Sequence, residues 1–208
     1  MGDRDSQPFD VDRRFSGLDR IYGVEGAKAI RGAHVVVVGL GGVGSWAAEA
    51  LARSGVNTLS LIDMDHVSES NINRQIQAHS QTLGMAKITA MQERIALINP
   101  QCQVHSIDAF VDTENFQSLL ASDVNAVIDA CDQVSAKTAM MQWSRTHPVH
   151  SLGTGGTLIM AVRLAQHPHL ARLASLLTTN LYWVMHTECD SFIYGAQTAK
   201  SSAGITPE

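Results

Sequence analysis

The run Gly39-Leu40-Gly41-Gly42-Val43-Gly44 sets glycines 39, 41 and 44 at G-x-G-x-x-G spacing, with Gly42 as a fourth. Without a Cβ, such residues accept positive φ and let the backbone approach a ligand closely. Amide N–H groups and a helix N-terminus can then face phosphate. A tight turn with no ligand could carry the same glycines, so the flanks decide. Here a β-branched run, Val35 to Val38, stops at Gly39, and an Ala-rich helical stretch, Ser45 to Arg53, follows. Asp63 lies 24 residues after Gly39, at the end of a second apolar run. A carboxylate there can accept bonds from both ribose hydroxyls, which suits a dinucleotide and ATP alike.

The next residues separate those two ligands. Asn71, Arg74, Gln75 and Lys87 follow Asp63 closely. Nucleotidyl transfer needs positive charge to neutralise the β- and γ-phosphates as pyrophosphate leaves, and a hydride transfer does not. Taken singly, Arg74 and Lys87 read more readily as solvated charges than as ligands. Asp132 lies just past a third buried run, Ala126 to Asp129, where a carboxylate can hold Mg²⁺ on a triphosphate. Asp129 is the rival metal ligand, and a helix N-cap is the plain alternative for Asp132.

These residues need a particular scaffold. Ala33 to Val38, Thr58 to Ile62, Val104 to Ile107 and Ala126 to Asp129 read as strands buried on both faces. Ser45 to Arg53, Lys87 to Leu97, Thr113 to Leu120 and Ser135 to Arg145 read as helices, with Asp112 or Thr113 capping the third. The alternation predicts an α/β, Rossmann-like doubly wound, mostly parallel sheet with helices on both faces. In such sheets the ligand sits outside the carboxyl ends of the strands, where the 39–44 loop, Asp63 and Asp132 fall. The N-terminus reads as a polar arm with a short helix around Gly26 to Ile30. Leu158 to Leu164 reads as a strand or the start of a helix, and Leu173 to Val184 as a helix.

Composition narrows the class. The chain has 208 residues, 45% hydrophobic and 17% charged, with a net charge of −5. These values fit one globular domain and give no global positive field for nucleic acid. Cys102, Cys131 and Cys189 form no C-x-x-C pair, so a thiolate zinc site is not expected. The odd cysteine count and the polar N-terminus predict a cytoplasmic protein with no membrane association. Cys131 reads as a packing residue, not a nucleophile.

Five motifs in order resemble the adenylation core of the ubiquitin-activating-enzyme-like superfamily. They are Gly39 to Gly44, Asp63-Met64-Asp65, Ser70-Asn71-Ile72-Asn73-Arg74-Gln75, Gly84-Met85-Ala86-Lys87 and Asp129-Ala130-Cys131-Asp132. Arg14-Phe15, Arg20-Ile21-Tyr22-Gly23, Gly44-Ser45-Trp46-Ala47-Ala48-Glu49 and Asn71 to Ile76 resemble the tRNA threonylcarbamoyladenosine dehydratase subfamily in particular. The resemblance runs from Arg14 to Gly156. It implies binding of Mg-ATP, adenylation of the threonyl carboxylate of threonylcarbamoyladenosine in tRNA, and ring closure with loss of AMP. It implies Gly39, Gly41, Gly42 and Gly44 at the phosphates, Asp63 at the ribose, and Asn71, Arg74 and Lys87 on the triphosphate. Asp132 is implied on magnesium, with no zinc. Relatives are homodimers in which an N-terminal Arg reaches the partner's ATP, a role for Arg20 or Arg14 here. A sulfur-transfer system is a further partner by analogy.

Two other functions share parts of the pattern. An activator of a ubiquitin-like sulfur-carrier protein uses the same ATP residues. An NAD-dependent oxidoreductase uses the loop and Asp63 but not the Asn71, Arg74 and Lys87 set. The chain divides into residues 1–32 as an N-terminal arm and helix, 33–156 as the ATP-binding domain, and 157–208 as an atypical segment. Residues 157–208 carry 3 basic and 3 acidic side chains against 12 and 17 in residues 1–156, from totals of 15 and 20. The low charge and blurred periodicity predict a frameshifted or truncated product, with loss of activity in this copy as the consequence.

Overall fold

The computed structural model describes residues 9–146, 149–154 and 157–162, with side chains described up to residue 144. Two helices, α1 (Val11–Phe15) and α2 (Gly17–Arg31), precede the first strand. The sequence had suggested only a short helix near Gly26 to Ile30. α1 starts earlier because the Asp10 side chain accepts the Arg13 amide at 3.0 Å. α2 bends at Gly23, where φ is +71°.

Strand β1 (His34–Val38) leads into α3 (Gly44–Arg53), β2 (Thr58–Ile62), a 3-10 turn at Glu69–Asn71 and α4 (Lys87–Ile98). Then follow β3 (Gln103–Ile107), α5 (Phe116–Leu119), β4 (Ala126–Asp129) and α6 (Val134–Thr146). A hairpin of β5 (Val149–Thr154) and β6 (Thr157–Val162) completes the described chain. α5 is shorter than the sequence pattern. Asp112 Oδ1 accepts the amides of Glu114 and Asn115, holding that stretch in a turn, so the helix starts only at Phe116.

The sheet order is β3-β2-β1-β4-β6-β5. Its first four strands are parallel, and β6 runs antiparallel to both β4 and β5. The alternation of side chains along β1 explains the two layers of helices. Val35 and Val37 pack with Leu59, Leu61 and buried residues of α2, α3 and α4. Val36 and Val38 pack on the other face with Val127, Phe116 of α5 and Met140 of α6. The fold is α/β, with helices covering both faces of a mostly parallel sheet. The expectation for Leu158 to Leu164 resolves to strand over its described part. Leu173 to Val184 and the rest of residues 163–208 lie outside the described residues.

β1 and β4 are neighbours, although α3, β2, α4, β3 and α5 separate them in the chain. On the opposite side β1 pairs with β2. The carboxyl end of β1 is therefore the point where the connections diverge, the position where open α/β sheets bind ligands.

Candidate functional site

The glycine loop begins where β1 ends. Gly39 takes φ +90°, and a Cβ there would lie 2.8 Å from the carbonyl oxygen of Ala130, after β4. A Cβ on Gly44 would overlap the carbonyl oxygen of Gly39. Both glycines thus answer to internal packing. Gly41 differs, because a Cβ there would meet nothing within 4 Å. α3 starts at Gly44 with no side-chain cap and no acidic residue in its first turn. Among the described residues, the amides of Gly41, Gly42, Val43 and Gly44 donate to no other group. A row of unpaired amides at an uncapped helix N-terminus fits an anionic ligand.

Asp63 stands beside this loop. Its Oδ2 accepts the Leu40 amide at 2.6 Å and its Oδ1 accepts the Asp65 amide at 2.8 Å. Each carboxylate oxygen keeps a further lone pair for an incoming hydroxyl.

The segment between β2 and α4 is fastened to the loop at several points. Trp46 Nε1 donates to the Arg74 carbonyl at 2.9 Å, and Gln77 Nε2 donates to the Leu40 carbonyl at 2.9 Å. Ser45 Oγ donates to the Gly41 carbonyl at 2.7 Å and accepts the Ile76 amide at 3.4 Å. A Cβ on Gly42 would sit 3.3 Å from Arg74 Cγ, so the Arg74 stem lies across the loop. Its guanidinium donates to the Ser70 carbonyl and to Asn73 Oδ1. Asn71 is buried and locks the 3-10 turn by accepting the Ser68 amide at 2.9 Å. Lys87, the first residue of α4, is 7% exposed, and its Nζ lies 2.7 Å from Asp65 Oδ2.

The structure therefore gathers Gly39, Gly41, Gly42, Gly44, Asp63 and Arg74 around the loop after β1, with Asn71 and Lys87 on the segment fastened to it. Arg20 stands apart, exposed on α2 before its bend, and no hydrogen bond or ion pair among the described residues joins it to the loop. Arg14 is engaged elsewhere: it donates to the Ile98 carbonyl at 2.6 Å and stacks 4.9 Å from the Phe9 ring centroid. The two metal candidates also separate. Asp129 is 1% exposed and ion-paired with Lys137 at 3.0 Å, and its Oδ1 accepts the Cys131 amide at 3.2 Å. Asp132 is exposed just beyond that turn. No group of three or more His, Cys, Asp or Glu side chains among the described residues could hold a metal alone. A single carboxylate suits Mg²⁺, which keeps waters and leans on phosphate oxygens.

Neither described cysteine is poised as a nucleophile. Burial, aided by the Asp129 charge, pushes the Cys131 thiol up to about 12. Burial pushes Cys102 up to about 11. Cys189 lies outside the described residues.

Sequence reasoning passed over Ser45, Trp46, Gln77 and Asp65 as site-building residues. Ser45 and Trp46 carried a signal by following the last loop glycine in the first turn of α3. Asp65 lay in the Asp63-Met64-Asp65 motif with no role assigned to it, and Gln77 carried no signal, because its partner Leu40 comes from a distant segment.

The model for the ThiF family matches residues 12–170, most of the chain. The chain belongs to this family. The match takes in every site residue above and reaches beyond β6. Among relatives within the ThiF family, the tRNA threonylcarbamoyladenosine dehydratase of Haemophilus influenzae is 41% identical over 176 residues. That alignment covers 80% of this chain and 67% of the relative. The enzyme of the same name from Escherichia coli is 45% identical over 144 residues, covering 69% of this chain and 54% of the relative. The chain thus spans between about half and two thirds of the length of these relatives. A crystal structure of the E. coli dehydratase in complex with ATP superposes with a TM-score of 0.64 at 36% identity. It covers 80% of this chain and 73% of that one.

Proposed function

We propose that this chain binds Mg-ATP and adenylates the threonyl carboxylate of threonylcarbamoyladenosine in tRNA, so that the product cyclises. A carboxylate oxygen attacks the α-phosphorus and pyrophosphate leaves. Intramolecular attack on the acyl carbon then closes the ring and expels AMP. The substrate loses the elements of water, and ATP hydrolysis to AMP and pyrophosphate takes them up. The carrying observation is the glycine loop with unpaired amides, clamped by Asp63 and crossed by Arg74, in a chain similar to an ATP-bound dehydratase.

In this reading Gly39, Gly41, Gly42 and Gly44 form the phosphate cradle and Asp63 takes the ribose. Asn71, Arg74 and Lys87 contact the triphosphate, and Asp132 holds magnesium. Magnesium would supply charge neutralisation on the leaving pyrophosphate. The Arg74 guanidinium can turn from the Ser70 carbonyl to a phosphate without moving its stem. Arg20, which is exposed and makes no described bond to its own loop, serves the second copy of a homodimer in this reading. The cytoplasm, where tRNA is modified, is the proposed compartment, and a sulfur-transfer system is a proposed partner. The division into residues 1–32, 33–156 and 157–208 belongs to the same proposal, although the family match continues past the second boundary to residue 170.

The activity test is AMP release from radiolabelled ATP with tRNA bearing threonylcarbamoyladenosine, against tRNA lacking it. AMP formed only with the modified tRNA supports the proposal. Mg-ATP binding without AMP release marks this copy as a binder. A chain stabilised by NADH and not by Mg-ATP would overturn the reading.

A further inference from the structure

Lys87 is the most enclosed lysine or arginine among the described residues, and its ammonium faces Asp65 Oδ2 at 2.7 Å. The pair is asymmetric. The Lys87 side chain is 8% exposed and the Asp65 side chain 67% exposed. The backbone of Asp65 is fixed on both sides: its amide donates to Asp63 Oδ1, and its carbonyl accepts the Lys87 amide at 2.9 Å. A bridge between His66 and Ala86 closes the same short ladder. The cation is anchored, while the carboxylate can swing into solvent with no backbone movement.

We propose that Asp65 is a stand-in for triphosphate, pairing with Lys87 until β- and γ-phosphates displace it, and so weakens triphosphate binding while leaving monophosphate binding unchanged. The inference rests on the reading of Lys87 as a triphosphate contact. A buried ammonium without a counter-charge is costly, so Lys87 needs a partner when no triphosphate is bound. Asp65 supplies one. A triphosphate then has to break this pair and tolerate a nearby carboxylate, which weakens its binding. A monophosphate ends before Lys87 and leaves the pair intact. After pyrophosphate departs, Asp65 recovers Lys87, which prevents the product from being retained.

The test is calorimetric binding of ATP and of AMP, at fixed Mg²⁺, to the full chain and to Asp65→Asn, Asp65→Glu, Lys87→Met and the Asp65→Asn/Lys87→Met double variant. Asp65→Asn should tighten ATP about three- to tenfold, the scale of a partly exposed ion pair, and leave AMP unchanged. Asp65→Glu should restore the wild-type affinity. In the Lys87→Met background, Asp65→Asn should change nothing. Weaker ATP binding by Asp65→Asn, equal tightening of ATP and AMP, or an effect that persists without Lys87 would each overturn the inference. If Lys87→Met alone leaves ATP affinity unchanged, the assignment of Lys87 fails, and this inference with it. A normal Lys87→Met loss with a wrong Asp65→Asn response sinks only the stand-in.

Discussion

The Asp63 carboxylate accepts the Leu40 amide at 2.6 Å and so ties the end of β2 to the glycine loop after β1. One residue thereby shapes the proposed phosphate cradle and stands at the proposed ribose position. Asp63→Ala removes two amide bonds to a charged acceptor and should cost about 2–3 kcal/mol of stability. ATP affinity should fall more than tenfold. Asp63→Asn keeps one acceptor oxygen and should recover part of the stability. Denaturant melts with matched ATP titrations measure both. Intact affinity in Asp63→Ala would rule out the ribose role.

The loop glycines should divide into two kinds. A Cβ on Gly44 overlaps the Gly39 carbonyl, so Gly44→Ala should destabilise the fold by about 3 kcal/mol. A Cβ on Gly41 meets open space. Gly41→Ala should melt as the wild type does but lose ATP binding, because the methyl would occupy the proposed phosphate position. Thermal shift with and without Mg-ATP separates the cases. A ligand at about 100 times its dissociation constant should add about 2.7 kcal/mol to wild type and almost nothing to Gly41→Ala.

Trp46 holds the Arg74 carbonyl through its indole N–H. Trp46→Phe keeps the ring and deletes that bond, at a cost of about 1 kcal/mol. If the bond sets the place of Arg74, the KM for ATP should rise severalfold. A Trp46→Phe variant with unaltered steady-state kinetics would mean that Gly42 packing alone positions Arg74.

The two carboxylates after β4 should behave oppositely. Lys137→Met strands the buried Asp129 charge and should cost about 3 kcal/mol. Asp132→Asn should leave the melt unchanged and raise the Mg²⁺ concentration needed for tight ATP binding. A Mg²⁺ titration at fixed ATP decides it. The reverse pattern would move the metal role to Asp129.

Both described thiols hold their protons in the folded state, Cys131 to about 12 and Cys102 to about 11. In the unfolded chain they ionise nearer the ordinary thiol value of about 8.5. Their contribution to stability is complete below that pH and is lost as pH rises toward 11–12. Alkylation by iodoacetamide at pH 8 should be slow at both in the native protein and fast in urea. Rapid native labelling of Cys131 would contradict the burial.

Much of this site was legible along the chain. Gly39 to Gly44 signalled itself because conformational demands act within a few residues, and the β1 valines showed burial on both faces. Asp63, Asn71, Arg74, Lys87 and Asp132 each lay at a strand end or in a short motif, so type and spacing sufficed to nominate them. Helix limits were less legible near α1 and α5, where the side chains of Asp10 and Asp112 bond amides three residues or fewer away.

What the sequence by itself determined is the strand-loop-helix unit, which follows from local backbone freedom and hydrophobic period, and the residue types nominated for the proposed nucleotide site. What only the tertiary structure decided is which of those residues are already paired. Asp129 is taken by Lys137, Arg14 by the Ile98 carbonyl, and Lys87 by Asp65. Trp46 and Gln77 became site-building residues because parallel pairing of β1 with β2 brings the segment after β2 over the loop after β1. Except for Asp129 and Lys137, 8 residues apart, these pairings span 22 to 84 residues; they depend on the folded path of the backbone, and no local pattern records them.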